Sequence, residues 1–269
     1  MDILQAIGNT SMVRLRKVVP PDCADVLVKL EWENPTGSVK DRMAQAVISR
    51  AEEDGRLKPG DTVVEYTGGS TGTSLALVCA ARGYGIKIVS SDAFSREKLD
   101  HMAALGAELT LVPSEGGLTT KKLILDMIEA ARRLSQEPHT YWTDQLNNQD
   151  SIAGYYSLGE EIWSQTKGEI DAFVHCVGTG AAPQASGETA LLLEEIKVGC
   201  TRRCSRASTV PIAWPTSSAR SGTSCILARP ERTRSTRSST PSGSTPARGH
   251  SSTTTCRSTN CRTARSSAS

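Results

Sequence analysis

The sequence predicts an α/β protein with mostly parallel, twisted sheets and flanking helices. Up to about residue 182, short apolar runs rich in β-branched residues alternate with segments whose apolar residues recur at helical spacing. Glycines such as Gly83 and Gly106 stand directly after helical segments, where they favour a helix end. This alternation is typical of right-handed βαβ units, in which ligands bind at the carboxyl ends of the strands.

The elements follow one another at regular intervals. Runs of β-branched and alternating apolar residues predict strands at 26–32, 62–66, 86–90, 108–112 and 171–177. Apolar stripes at helical spacing predict helices from Ser38 to about Gly55, and at 71–82, 95–105, 118–134 and 152–165.

The first of these helices carries the most informative lysine. The turn Asn-Pro-Thr-Gly at 34–37 precedes the helix, Ser38 can cap it, and Lys40 falls in its first turn. Because the first turn carries free N–H groups and positive partial charge, an ammonium there is disfavoured. A lysine that loses its proton easily suits Schiff-base chemistry. A solvated surface lysine is the alternative that the residues alone leave open.

The segment 34–42, Asn-Pro-Thr-Gly-Ser-Val-Lys-Asp-Arg, resembles the pyridoxal-phosphate lysine segment of the cysteine synthase family, whose members catalyse β-replacement. Three further motifs follow the family's order: Ile-Gly-Asn-Thr at 7–10, Thr-Gly-Gly-Ser-Thr-Gly at 67–72 and Val-Gly-Thr-Gly at 177–180. The likeness covers about residues 3–182. It implies the tryptophan synthase β-like fold (fold type II) over 1–182, with a smaller domain of about 40–145 inserted in the larger one, and a homodimer.

The resemblance implies pyridoxal 5′-phosphate as cofactor. Lys40 would hold its aldehyde and take the α-proton of the substrate, and Gly178, Thr179 and Gly180 would bind its phosphate. Ser70 stands where the family has an asparagine that touches the ring hydroxyl, and Ala181 and Ala182 replace a glycine and a threonine. A plain strand-to-helix turn is the alternative for Gly-Thr-Gly.

The resemblance also implies a site for the substrate's α-carboxylate. Thr67, Gly68, Gly69 and Thr71 match the family's carboxylate loop, and Gln145 matches a glutamine near that carboxylate. An ordinary glycine-rich turn and a surface glutamine are the alternatives. The implied reaction joins O-acetylserine and sulfide to give cysteine. Because most cysteine synthases have Thr-Ser-Gly-Asn-Thr-Gly here, another β-eliminase, a dehydratase or a cystathionine synthase stays open, as does an inactive truncated product.

Residues 183–269 differ in composition from the rest of the chain. Beyond Lys197 there is no lysine or aspartate, Glu231 is the one acidic residue, and Ser, Thr, Arg and Pro dominate. Such a composition buries too little apolar surface to offset the entropy of ordering, which predicts a non-native, disordered tail and an incomplete C-terminal domain. It is typical of out-of-frame translation, here after about residue 181. A nucleic-acid-binding arginine tail is the alternative, and a steep salt dependence of binding would distinguish it.

The remaining composition favours a cytoplasmic protein without a nucleic-acid or membrane partner. The net charge is +2, no apolar run reaches membrane-span length, and the start of the chain lacks a basic signal segment. Cys23, Cys79 and Cys176 are predicted to be buried thiols. The five later cysteines have spacings that could suggest zinc, but no ordered scaffold is predicted around them, so we expect no metal site.

Overall fold

The computed structural model describes residues 2–19, 24–175, 197–200 and 224–228. Within these ranges it contains nine strands and six α-helices, and strands and helices alternate from Lys40 to Trp142. All of these residues belong to one compact unit, Met1–Glu231. The strands are β1 Met12–Arg14, β2 Asp25–Lys29, β3 Thr62–Tyr66, β4 Gly85–Ser91, β5 Glu108–Val112, β6 Thr140–Trp142, β7 Ala172–His175, β8 Lys197–Cys200 and β9 Ser224–Ala228. The helices are α1 Lys40–Glu53, α2 Ser70–Arg82, α3 Arg96–Ala104, α4 Lys121–Leu134, α5 Gln149–Ala153 and α6 Tyr156–Gln165.

The four-stranded sheet has the order β5-β4-β3-β6, and all of its strands are parallel. Its register pairs Tyr66 at the end of β3 with Val89 of β4. The loop after β3 leads directly into α2, which is the strand-to-helix alternation that the sequence predicts. This loop lies at the carboxyl end of the sheet, where ligands bind in such folds.

The five-stranded sheet is mixed, with the order β1-β2-β9-β7-β8. Strand β7 pairs with β8 in parallel, and the other three neighbouring pairs are antiparallel. Strands β8 and β9 fall within residues 183–269, where the sequence predicts a disordered tail. The other residues of that stretch lie outside the described ranges, so the disorder of the tail stays a prediction.

Helix α1 buries the apolar face that its sequence predicts. Its Val47, Ile48 and Ala51 have no exposed surface, and they join one core with Leu75 and Val78 of α2. Full burial of each large side chain contributes about 1.5–3 kcal/mol to stability. This core fixes α1 and α2 against each other and so positions the loops at their N-termini.

The helix predicted at 152–165 is two helices, α5 and α6, with a break at Gly154 and Tyr155. The break lies against the backbone of α1. A Cβ at Gly154 would lie 2.9 Å from the carbonyl oxygen of Arg42 and 2.9 Å from the Cα of Met43. Only glycine permits this approach, which the apolar periodicity of the sequence does not show.

The predicted strand at 26–32 ends earlier, because Glu31–Glu33 forms a 3-10 helix that leaves Trp32 57% exposed. The short strands β1 and β6 were not predicted, since three residues are too few to show an alternation. No helix within the described ranges has the length and apolar character needed to span a membrane.

Candidate active site

Lys40 is the first residue of α1, as predicted. Its backbone N–H donates to the side-chain oxygen of Ser38 at 3.2 Å. Its ammonium lies 5.5 Å from the centre of the Tyr155 ring, at the break between α5 and α6. The amine is therefore held at a helix N-terminus, which disfavours its charged form, and against an aromatic face, which favours that form.

Asp41 anchors the residue that follows Lys40. Its buried carboxylate accepts hydrogen bonds from the Thr36 N–H at 2.8 Å and from the Ser74 hydroxyl of α2 at 2.5 Å. Burial raises the pKa of the Asp41 carboxyl, and the hydrogen bonds from Ser74 and Thr36 oppose that rise. Asp41 thus ties the turn at 34–37 and the start of α1 to α2.

Arg42, two residues after Lys40, lies in a second buried network. Its buried guanidinium pairs with Glu31 at 2.8 Å and with Glu161 of α6 at 2.6 Å, and Lys29 donates to Glu161 at 2.7 Å. Burial alone would raise the pKa of Glu161, but the hydrogen bonds from Arg42 and Lys29 outweigh it and lower the pKa to about 2. Breaking a buried pair of this kind costs about 3–5 kcal/mol.

The Ile-Gly-Asn-Thr motif at 7–10 closes this ion network. The Gly8 N–H donates to the side-chain oxygen of Asn34 at 2.8 Å, and the Asn9 N–H donates to Glu161 at 2.8 Å. The Thr10 hydroxyl donates to Glu31 at 2.7 Å. The motif is thus hydrogen-bonded to Asn34, in the turn before Lys40, and to the two acids that pair with Arg42.

The glycine-rich loop at 67–72 leads into α2, whose first residue is Ser70. The Thr67 hydroxyl accepts from the Gly69 N–H at 3.1 Å. The Phe94 ring occupies the space that a side chain at Gly68 would need, since a Cβ there would lie 2.5 Å from its Cε1. A side chain at position 68 would therefore collide with Phe94.

Ser70 is engaged by a lysine that the sequence analysis missed. The Lys98 ammonium of α3 donates to the Ser70 hydroxyl at 3.0 Å, and its methylene chain lies against Gly69. Phe94 lies just before α3 and Lys98 in its first turn, so helical spacing does not relate them. No sequence signal identifies the loop at 67–72 as their partner.

Gln145 and Thr71 are brought together, as the resemblance implies. The Thr71 hydroxyl donates to the side-chain oxygen of Gln145 at 2.7 Å, and the Gln145 amide donates to the Tyr66 carbonyl at 3.2 Å. The Gln145 N–H donates to the carboxylate of Glu65 at 3.0 Å. Glu65 is a second residue of this site that the sequence analysis missed.

The described residues fit a ligand with a carbonyl group and several oxygen atoms. Tyr155 is fully buried next to Lys40, and its hydroxyl has no hydrogen-bond partner within the described part of the chain, so a ligand or water could satisfy it. Lys40 supplies an amine, and the first turn of α2 supplies hydroxyl and N–H groups. Gly178, Thr179 and Gly180, predicted to bind phosphate, lie outside the described residues, as do Ala181 and Ala182.

No group of three or more His, Cys, Asp or Glu side chains suited to a metal ion occurs in the described ranges. Cys79 is buried as predicted, and burial raises the pKa of its thiol to about 12, which makes it a poor nucleophile. Cys23 and Cys176, the other predicted buried thiols, and the five later cysteines at 200, 204, 225, 256 and 261 have no described side chain.

A parallel sheet with a glycine-rich loop at its carboxyl end, and a helix-terminal lysine whose neighbour Asp41 is bonded to α2, is an arrangement suited to binding a ligand or cofactor. Comparison with known proteins makes this specific, because residues 3–200 match the family described as pyridoxal-phosphate dependent enzyme. The chain belongs to this family.

The similar proteins include several cysteine synthases. The chain is 42% identical to cysteine synthase B of Salmonella typhimurium over 176 residues, covering 65% of this chain and 56% of that protein. It is 42% identical to a cysteine synthase of Staphylococcus aureus over 190 residues, covering 70% of this chain and 59% of that protein.

Solved structures give the same result. A crystal structure of O-ureido-L-serine synthase matches with a TM-score of 0.66 and 36% identity, over 74% of this chain and 62% of that chain. The crystal structure of the cysteine synthase of Entamoeba histolytica matches with a TM-score of 0.65 and 35% identity, over 72% of this chain and 57% of that chain. The chain therefore spans less than two thirds of these relatives. The predicted fold class and the resemblance to cysteine synthases are confirmed.

Proposed function

We propose that this chain is a cysteine synthase-like protein that replaces the β-substituent of O-acetylserine with sulfide to give cysteine. The observation that carries the proposal is Lys40, held at the N-terminus of α1 with the next two residues, Asp41 and Arg42, bound in buried networks. The similarity to cysteine synthases supports the substrate class.

Pyridoxal phosphate, when bound, supplies an electron sink that makes the α-proton of an amino acid removable. Lys40 would hold the aldehyde of this group through its amine. The same amine, when released, accepts a proton at Nζ, because a lysine next to the reacting carbon can serve both as tether and as base. Asp41 and Arg42 limit the movement of the backbone that presents the amine.

The α-carboxylate of the substrate would bind at the loop 67–72. The N-terminus of α2 carries positive partial charge and free N–H groups, which favour an anion. The Thr71 hydroxyl and the Gln145 side chain, 2.7 Å apart, are placed to orient that anion. Gly178, Thr179 and Gly180 would hold the cofactor phosphate through their backbone N–H groups.

The domain arrangement is proposed on the same grounds. All four strands of the parallel sheet, from Thr62 to Trp142, fall within the range of about 40–145 that we assign to a smaller domain. The described strands of the mixed sheet fall outside that range. A homodimer is also part of the proposal, by resemblance alone.

We also propose that activity is impaired in this chain. Ser70 replaces an asparagine, Ala181 and Ala182 alter the phosphate loop, and the composition beyond Gly180 is typical of a shifted reading frame. The test compares this chain with a version restored by one nucleotide after the Gly180 codon, assaying cysteine formed from O-acetylserine and sulfide. We expect the restored version to be much more active. Equal activity would refute the impairment, and no cysteine from either version would refute the proposed reaction.

A further inference from the structure

Glu65 is an acid in an unusual place. It lies one residue before the end of β3, two residues before the glycine-rich loop begins at Thr67, and its side chain has no exposed surface. The groups that act on its carboxylate are the hydrogen-bond donors of Thr143, Gln145 and Tyr66 and the charge of Asp144. Burying a carboxylate carries a large desolvation cost, of which these hydrogen bonds offset a part.

Both oxygens of Glu65 accept hydrogen bonds. One oxygen accepts from the Tyr66 N–H at 2.8 Å. The other accepts from the Thr143 hydroxyl at 2.5 Å and from the Gln145 N–H at 3.0 Å. The carboxylate therefore joins the end of β3 to the segment 143–145, which follows β6.

The residue between these two contacts is strained. Asp144 has a φ of 41°, in the left-handed region that residues other than glycine enter at a cost. Its neighbours Thr143 and Gln145 are both bound to Glu65. The strained turn is therefore fixed from both sides by one carboxylate, and it directs Gln145 back toward the first turn of α2.

We propose that Glu65 is a positioning residue for the carboxylate-binding site: it holds the turn at 143–145 so that Gln145 meets Thr71. The inference rests on the proposed function for the assignment of Thr71 and Gln145 to the substrate. Glu65 acts through Gln145, whose side-chain oxygen accepts from the Thr71 hydroxyl.

An acid satisfies this position better than an amide. Above about pH 7, where Glu65 is ionised, its carboxylate accepts at both oxygens and so satisfies all three donors around it. A glutamine accepts only at its single oxygen; turned toward Thr143 and Gln145, that oxygen keeps their two hydrogen bonds, and the NH₂ group then faces the Tyr66 N–H. Glu65→Gln therefore keeps the size of the side chain and the bonds to the turn, whereas Glu65→Ala removes every acceptor.

The experiment compares wild type, Glu65→Gln and Glu65→Ala, with Asp61→Asn as the matched control. Asp61 is a buried acid just before the start of β3, at the end of the strand away from the loop. Its carboxylate accepts a hydrogen bond from the Lys58 N–H and contacts the His139 ring, and these groups lie outside the turn at 143–145. The probes are L-alanine, which has an α-carboxylate and no β-leaving group, and ethylamine, which has no carboxylate. Binding of each to the pyridoxal-phosphate-loaded protein is followed by the change in visible absorbance.

At about pH 8.5, where the Glu65 carboxylate is ionised, we expect Glu65→Ala to weaken L-alanine binding about tenfold and to leave ethylamine binding unchanged. The backbone N–H of Gln145 should exchange its hydrogen faster in Glu65→Ala than in the wild type. Glu65→Gln, which can keep the hydrogen bonds from Thr143 and Gln145, and Asp61→Asn should both stay close to the wild type. Equal weakening of L-alanine and ethylamine in Glu65→Ala, or an unchanged exchange rate of its Gln145 N–H, would overturn the proposal.

Hydrogen exchange also separates this inference from the proposed function. If the wild type does not hold pyridoxal phosphate, the proposed function fails, and the exchange of the Gln145 backbone N–H in Glu65→Ala still decides whether Glu65 fixes the turn. Faster exchange there supports the positioning role, and unchanged exchange refutes it. If thermal unfolding shows that Glu65→Ala does not fold, Glu65→Met, which is of similar length and has no carboxylate, carries the same test.

Discussion

The Asp41 carboxylate accepts a hydrogen bond from the Ser74 hydroxyl at 2.5 Å, and this contact joins the first turn of α1 to the first two turns of α2. Lys40 precedes Asp41, and the glycine-rich loop precedes Ser74. The contact therefore fixes the cofactor lysine relative to the proposed substrate loop. Because both groups are buried, removing the Ser74 donor leaves the Asp41 carboxylate with the donors of Thr36 and without its link to α2.

Ser74→Ala tests this contact. We expect a loss of about 1–3 kcal/mol in the free energy of unfolding, since the buried Asp41 carboxylate loses one of its donors. Retention of pyridoxal phosphate should weaken in parallel. Ser49→Ala, on α1, is the control, because its hydroxyl contacts only the exposed Arg82 side chain. Urea unfolding and cofactor titration provide the measurement, and equal behaviour of the two variants would contradict the role of Ser74.

Glu161→Gln tests the network around Arg42. The pKa of Glu161 is lowered to about 2, so the stability it contributes is present above about pH 4.5 and is lost as the pH falls toward 2. We expect the free energy of unfolding of Glu161→Gln to be about 3 kcal/mol lower than that of the wild type at pH 7. This difference in unfolding free energy should shrink as the pH falls from 4.5 toward 2, and urea unfolding at several pH values would measure it. A difference that is independent of pH would refute this role.

Glu65 should give the opposite pH dependence. Burial raises the pKa of Glu65 to about 7, with the nearby charge of Asp144 adding to the rise. Between about pH 4.5 and 7 the folded state therefore binds more protons than the unfolded state, and stability falls with rising pH by up to about 1.4 kcal/mol per pH unit. Glu65→Gln should remove this slope. If the difference in free energy of unfolding between wild type and Glu65→Gln is the same at every pH in this range, Glu65 does not titrate there.

Gly68→Ser restores the residue of most cysteine synthases, and we expect it to destabilise this chain. A side chain at this position meets the Phe94 ring, and overpacking of that kind costs about 1–3 kcal/mol. Phe94→Ala in the same chain should relieve most of the clash. A double-mutant cycle of unfolding free energies measures the coupling between Gly68→Ser and Phe94→Ala. If the effects of the two substitutions on the free energy of unfolding simply add, the Phe94 ring does not clash with the new side chain.

Much of the fold was accessible from the sequence because burial follows periodicity. The strands predicted at 62–66 and 108–112 match β3 and β5. Lys40 lies in the first turn of α1 as predicted, but the helix begins at Lys40 and not at Ser38, and its N-cap is Val39, which makes no side-chain cap hydrogen bond. The ion pair of Arg42 and Glu161 was not accessible, because 119 residues separate its members and periodicity names no distant partner.

The same limit applies to Glu65. In the strand Thr-Val-Val-Glu-Tyr it occupies a position that a polar, exposed side chain could also take, and its burial depends on the segment 143–145 in another part of the chain. The break at Gly154 likewise depends on contact with α1. Sequence patterns predicted which elements form, whereas the contacts that tune the site come from the packing of elements distant in sequence.

The most direct test of the central claim is covalent labelling of Lys40. The protein is incubated with pyridoxal phosphate, its visible absorbance is recorded, borohydride is added, and the labelled peptide is identified by mass spectrometry. The account predicts the absorbance of lysine-bound pyridoxal phosphate, label on Lys40, and loss of both in Lys40→Ala. Label on Lys98 or any other lysine in place of Lys40, with the absorbance unchanged in Lys40→Ala, would contradict it.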